Sequence, residues 1–193
     1  MTRQGIVRAG TEEAEGRVES LRIAMVTMHS EPGAIGLNLD RMEGFAERAA
    51  QEGAEIVCFP ELSVTGYVLE EPGALCPEGE FERAADRVRR MAEGKGVTIL
   101  AGIIETARPG KPYISQVVAG PEGLVGVYRK THLSPSEKPG YRPGDRLESF
   151  RVEKRVFGIE LCYESHFPEI STVLALSGAQ VLFLPHASPR GTP

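Results

Sequence analysis

GIELCYESHFPE, Gly158 to Glu169, brings three local signals together in one short stretch. It ends an apolar, β-branched run over Val156–Leu161 and sets a cysteine at that end. It then leads into a helical pattern over Phe167–Ser177, with Pro168 in the first turn, where proline is tolerated. Cys162 is therefore either a packing thiol, since cysteine is among the most buried residue types, or a nucleophile carried on a sharp turn between strand and helix. The reading of this stretch as strand, turn and helix decides the fold, because the same succession recurs along the chain.

Outward from it, apolar runs flanked by Gly or Pro predict strands over Leu21–Thr27, Glu55–Phe59, Val97–Ile104, Ile114–Ala119, Leu124–Tyr128, Val156–Leu161 and Val181–Leu184. Two further stripes have helical spacing. One is Leu39, Met42, Phe45, Ala46 and Ala49 within Asn38–Gln51; the other is Phe81, Ala84, Ala85, Val88 and Met91 within Glu80–Glu93. A hairpin is expected about Pro121-Glu122-Gly123. Alternating strands and helices predict an α/β fold, and the central meander predicts mixed rather than purely parallel sheets. His132–Leu147 reads as a long loop of the kind that often carries function. Residues 1–20 are polar and read as a mobile arm, leaving 21–193 as one domain.

Composition narrows the function. The chain has 193 residues, 41% apolar and 25% charged, with a net charge of -5. An acidic balance opposes general nucleic-acid binding, which needs a basic face. No apolar run reaches the roughly 18 residues of a membrane span, and residues 1–20, which lack an apolar h-region, are not expected to be a secretory signal. Cys58, Cys76 and Cys162 are odd in number and lack metal-like spacing, which predicts reduced thiols and a cytoplasmic protein. The four histidines have no HxH or HxxxH spacing, so a metal site is not expected.

Chemistry-bearing residues collect at three strand ends. In FPELSVTGY, Pro60 stops a strand and Glu61 follows. In VYRKTHLSP, Arg129, Lys130 and His132 follow a strand. The third is Cys162 itself. Taken singly, Glu61 reads as a solvated loop carboxylate and Lys130 as a snorkelling strand-end charge. Together, a Cys, a Lys and a Glu form a candidate triad, with a Cys–His pair through His132 or His166 as the runner-up. Cys58 reads as packing, Cys76 as incidental, and His186 as a strand-end residue that could line a pocket.

These motifs resemble the nitrilase superfamily of carbon–nitrogen hydrolases. The resemblance rests on FPELSVTGY, on YRKTHLSPSE followed by YRPGD, and on GIELCYESHFPE, in the family's order and over nearly all of the chain after Leu21. It implies a four-layer α-β-β-α sandwich with mixed sheets. It also implies Cys162 as nucleophile, Glu61 as general base, Lys130 as the cation for the tetrahedral intermediate, and Tyr163 N–H as a second oxyanion donor. Glu137 matches a second glutamate that positions substrate or Lys130. The implied activity is hydrolysis of a non-peptide C–N bond, with a small amide first, by way of a thioester and with no metal or organic cofactor. Nitrile or N-carbamoyl hydrolysis with the same triad, and an inactive fragment or binding partner, are the alternatives. A homodimer or higher oligomer is implied, joined through the helix Phe167–Ser177. Members usually continue well past the position of Pro193, so the sandwich is expected to be incomplete at its C-terminal side.

Overall fold

The computed structural model describes residues 5–12, 18–106 and 110–188, with side chains from Ser20 onward. A six-stranded sheet has the order β1 (Gly5–Glu12), β2 (Val18–Met25), β3 (Ile56–Cys58), β4 (Thr98–Glu105), β5 (Tyr113–Gly120) and β6 (Gly123–Arg129). Its β2–β3–β4 centre is parallel; the β1–β2, β4–β5 and β5–β6 pairs are antiparallel. A second sheet holds β7 (Phe150–Val152), β8 (Arg155–Ile159) and β9 (Val181–Phe183), with β7–β8 antiparallel and β8–β9 parallel. Both sheets are mixed.

Strand alternation builds the layers. In the stretch from Ile56, side chains face opposite sides in turn. Val57 and Phe59 join a core with Leu39, Met42 and Ala46 of α1 (Ile35–Gln51) and with Ala84, Val88 and Met91 of α2 (Glu80–Lys95). Ile56 and Cys58 join a second core with Phe150, Phe157, Ile159 and Phe183 of the small sheet. The central strands are buried on both faces, which is why their sequence reads as continuous apolar runs rather than clean alternation. On the far side α3 (Pro168–Leu176) packs on β8 through Ile170 and Leu174. Gly158 makes that approach close: a Cβ there would lie 2.9 Å from Leu174 Cδ1 and 2.9 Å from Leu182 Cδ2. The result is the expected α-β-β-α order of layers.

Some elements differ from the sequence reading. Gly5–Glu12, inside the stretch read as an arm, pairs as a strand along the whole of β2; residues 1–4 and 13–17 lie outside the described residues. Phe150–Val152 is a strand that its charged surroundings hide. The sharp turn read at Cys162 is a 3-10 turn, Cys162–His166, between β8 and α3, and β8 ends at Ile159 rather than at Leu161.

Candidate active site

Glu61 is placed by its neighbours' backbone. Pro60 ends the β3 run, and the chain turns so that Leu62 takes a left-handed φ of 54°. This turn lies directly on β4 at Gly102, where a Cβ would come within 2.2 Å of Leu62 N. Only glycine fits such an approach. The next residues lock the turn to β4: Val64 N–H donates to Gly102 C=O (2.8 Å), Ser63 Oγ accepts from Gly102 N–H (3.1 Å), and Thr65 Oγ1 accepts from Ile104 N–H (3.2 Å). Polar residues in ELSVT thus extend the sheet's bonding after the strand has ended.

Lys130 follows β6 and is fully buried, with Nζ 2.8 Å from Glu61 Oε1 and 2.8 Å from Glu137 Oε1. Glu137 comes from the long loop and is itself held by Ser134 N–H on Oε2 (2.8 Å) and by the Tyr67 hydroxyl on Oε1 (3.3 Å). Two buried carboxylates therefore share one ammonium. Burial would lower the Lys130 pKa, but the two glutamates outweigh it and hold the group above its usual range. Burial pushes the Glu61 carboxyl up to about 7, against the opposing pull of Lys130. Its Oε2 is buried and has no hydrogen-bond partner among the described residues.

Cys162 opens the 3-10 turn at a left-handed φ of 49°, a strained position for a residue with a side chain. Its N–H donates to Pro185 C=O (3.0 Å), and Glu164 N–H donates to Leu161 C=O (3.1 Å); Tyr163 N–H takes no part in these bonds. The half-buried thiol is pushed up to about 11, by burial first and then by the Glu61 charge, with Lys130 pulling the other way. The thiol in turn favours the ionised form of Glu61. The structure thus brings Glu61, Lys130, Glu137 and Cys162 into one electrostatic unit across the seam between the two sheets. Its net effect is a protonated thiol beside a carboxyl that titrates near neutrality.

The other candidates fall around this centre. A cleft of about 710 Å3 reaches Glu61 and is lined by Met25, Met28, Phe59, Tyr67, Leu184 and His186, among others. His186 is exposed at this cleft, and burial, Lys130 and His166 lower its pKa. Tyr163 is half-buried and packs edge-on against Phe167 at 5.5 Å. Cys58 and Cys76 are buried, their thiols pushed up by burial to about 12 and about 11. Among the described residues no group of three or more His, Cys, Asp or Glu side chains is disposed to hold a metal, and no helix is long and apolar enough to cross a membrane. Sequence reasoning missed Glu164, which is fully buried and collects hydrogen bonds from both sides of the seam. Its only sequence signal is an acid in the turn directly after the cysteine.

A mixed-sheet four-layer sandwich with a Cys, Glu and Lys at its seam defines the class. The carbon–nitrogen hydrolase family model matches residues 22–192, and the chain belongs to that family. Among relatives, a nitrilase of Pyrococcus abyssi is 36% identical over 90% of this chain and 69% of its own length. An (R)-stereoselective amidase of Pseudomonas is 29% identical over 85% of the chain and 59% of its own length. An omega-amidase of Xenopus tropicalis is 31% identical over 78% of the chain and 58% of its own length. Among solved structures, a Nesterenkonia amidase superposes with a TM-score of 0.80 at 27% identity, covering 89% of this chain and 67% of that one. In another structure of that amidase acrylamide has added to the active-site cysteine. The chain spans less than two thirds of the Pseudomonas and Xenopus relatives.

Proposed function

We propose that this chain carries the catalytic centre of a hydrolase that cleaves the C–N bond of a small amide by way of a thioester on Cys162. One observation carries the reading: a buried carboxyl with an unpartnered oxygen and a pKa near 7 acts on a thiol that burial keeps protonated. Such a thiol is a weak nucleophile until a base removes its proton. Glu61 takes that proton as Sγ attacks the carbonyl carbon. The C=O electrons move onto oxygen, and the oxyanion is met by Lys130 and by Tyr163 N–H. Collapse breaks the C–N bond, and Glu61 returns the proton to the leaving nitrogen, which departs as ammonia or an amine. Water, deprotonated by Glu61, then attacks the thioester, and the carboxylic acid leaves as the thiol is regenerated.

Glu137 holds Lys130 in place opposite Glu61, and the cleft beside Glu61 accepts the acyl group. The amide-hydrolysing relatives and the cysteine adduct of the Nesterenkonia amidase support the amide reading. The likeness to a nitrilase supports a second reading, in which the same attack on a nitrile gives a thioimidate. Self-association through α3 belongs to the same proposal, since Val173 and Leu176 are exposed on it.

The test is ammonia release from small amides, nitriles and N-carbamoyl compounds by the wild type, Cys162→Ala and Cys58→Ala. The expected result is release from amides that Cys162→Ala abolishes and Cys58→Ala leaves unchanged. Silence across the panel from folded protein, or equal losses in both variants, overturns it.

A further inference from the structure

Glu164 has no part in the chemistry just described, yet it lies fully buried two residues beyond Cys162. Every hydrogen bond its side chain makes, it accepts. Oε1 receives Thr131 Oγ1 (2.6 Å), Thr131 N–H (2.7 Å), the Tyr128 hydroxyl (2.8 Å) and His132 N–H (3.3 Å). Oε2 receives Leu161 N–H (2.7 Å). Backbone N–H groups can only donate, so both oxygens act as acceptors and the side chain serves as a carboxylate. None of the five donors is a cation. Charge neutralisation is therefore not what the arrangement supplies; it supplies geometry.

The donors define that geometry. Tyr128, Thr131 and His132 bracket Lys130 at the end of β6, and Leu161 adjoins Cys162 at the end of β8. One carboxylate thus ties the Tyr128 side chain before the cation and the Thr131–His132 backbone after it to the turn that carries the nucleophile, across the seam between the sheets. The same bonds settle a tautomer. Thr131 gives its hydroxyl proton to Glu164, so in the contact between Thr131 Oγ1 and His132 Nδ1 (2.9 Å) the ring N–H donates. His132, stacked on Phe167 with centroids 4.4 Å apart, is held with its proton on Nδ1.

We propose that Glu164 is a positioning residue that sets the distance between Lys130 and Cys162, with Thr131 and His132 as its relay. This rests on the triad reading above. Misplacement of reacting groups by about 1 Å costs on the order of a hundredfold in rate. The test compares Glu164→Gln, Thr131→Val and Thr131→Ser with the wild type. It uses steady-state kinetics on the amide the panel identifies, nitrogen-15 NMR of the His132 ring, and hydrogen exchange at the Thr131 and Leu161 amides.

The expected result for Thr131→Val and Glu164→Gln is a kcat about ten- to hundredfold lower with KM within about threefold. Thr131→Ser restores kcat, and the Nδ1–H signature of His132 is present in the wild type and in Thr131→Ser but lost in Thr131→Val. An unchanged kcat in Thr131→Val, a loss confined to KM, or no rescue by Thr131→Ser overturns the proposal, even where Glu164→Gln does not fold. If the wild type hydrolyses no compound in the panel, the triad reading has failed, and the clamp is judged on NMR and exchange alone. An unaltered His132 signal in Thr131→Val, with unaltered amide protection, overturns it in that case.

Discussion

In the proposed mechanism Glu61 takes the proton of Cys162, and a pH dependence follows from the ionisation of Glu61. Glu61 must be ionised to act as base, and burial raises its pKa to about 7. The expected kcat/KM therefore rises with pH through an acid limb near 7, measured from pH 5 to 9. The limb belongs to the coupled pair rather than to one residue. A limb near the ordinary carboxylate range of about 4 would remove Glu61 from the role. The same shift bears on stability. A carboxyl whose folded pKa is raised contributes stability that is present below the unfolded value and is lost as pH rises through about 7. Lys130→Met should enlarge that loss, because it leaves Glu61 and Glu137 buried without their cation. Breaking a buried pair costs about 3–5 kcal/mol. Urea midpoints should show the larger deficit at pH 8 and the smaller at pH 5, where the Glu61 carboxyl protonates; equal deficits would count against the ion network. At this scale the residue types were legible and their environments were not. Glu61 and Lys130 each read as solvated charges when taken alone, since carboxylates and ammonium groups are seldom buried unpaired. Glu164 was hardly legible, because four of its five donors come from Tyr128, Thr131 and His132, a segment brought near it only by folding.

Among the elements, the turn after β3 is the sharpest dependence. Gly102→Ala would drive a methyl group into Leu62 N and displace Glu61. The expected cost is about 1–3 kcal/mol in urea unfolding, with loss of most activity even at temperatures where the variant stays folded. Full activity in a stable Gly102→Ala would mean the turn does not set Glu61. Elements with strong periodicity were plain in the sequence: α1 and α2 start or end within a few residues of their apolar stripes, and β3 to β6 follow their runs. The missed elements lacked that signal. β1 reads GIVRAGTE and forms a strand by pairing with β2, not by its own pattern. β7 is three residues long. The 3-10 turn at Cys162 is held by a local capping bond from Leu161 N–H to the Glu164 carboxylate and by Pro185 C=O, which lies beyond the reach of local propensity.

For the whole molecule, the contact between the two sheets decides whether a site exists. Phe157 lies at its centre, 5.4 Å from Phe183 and 6.0 Å from Phe150, and is almost fully buried. Phe157→Ala should cost about 3–5 kcal/mol in urea unfolding. It should also lower activity below its own melting transition, since the sheets can then shift against each other. A variant that loses stability but keeps full turnover would show the seam to be rigid without this packing. The layer order was legible from alternation and strand–helix succession, whereas the spacing of the layers depends on large side chains meeting from segments far apart.

The division of the site between two sheets also has a consequence in time. The proposed base, cation and nucleophile lie at positions 61, 130 and 162, so a chain emerging from the ribosome carries only an ordinary cysteine. Contacts between distant segments form late, because the intervening loops must close first. On the proposed reading, turnover at Cys162 thus belongs to the folded chain alone, since an unfolded copy holds the thiol with neither base nor cation beside it.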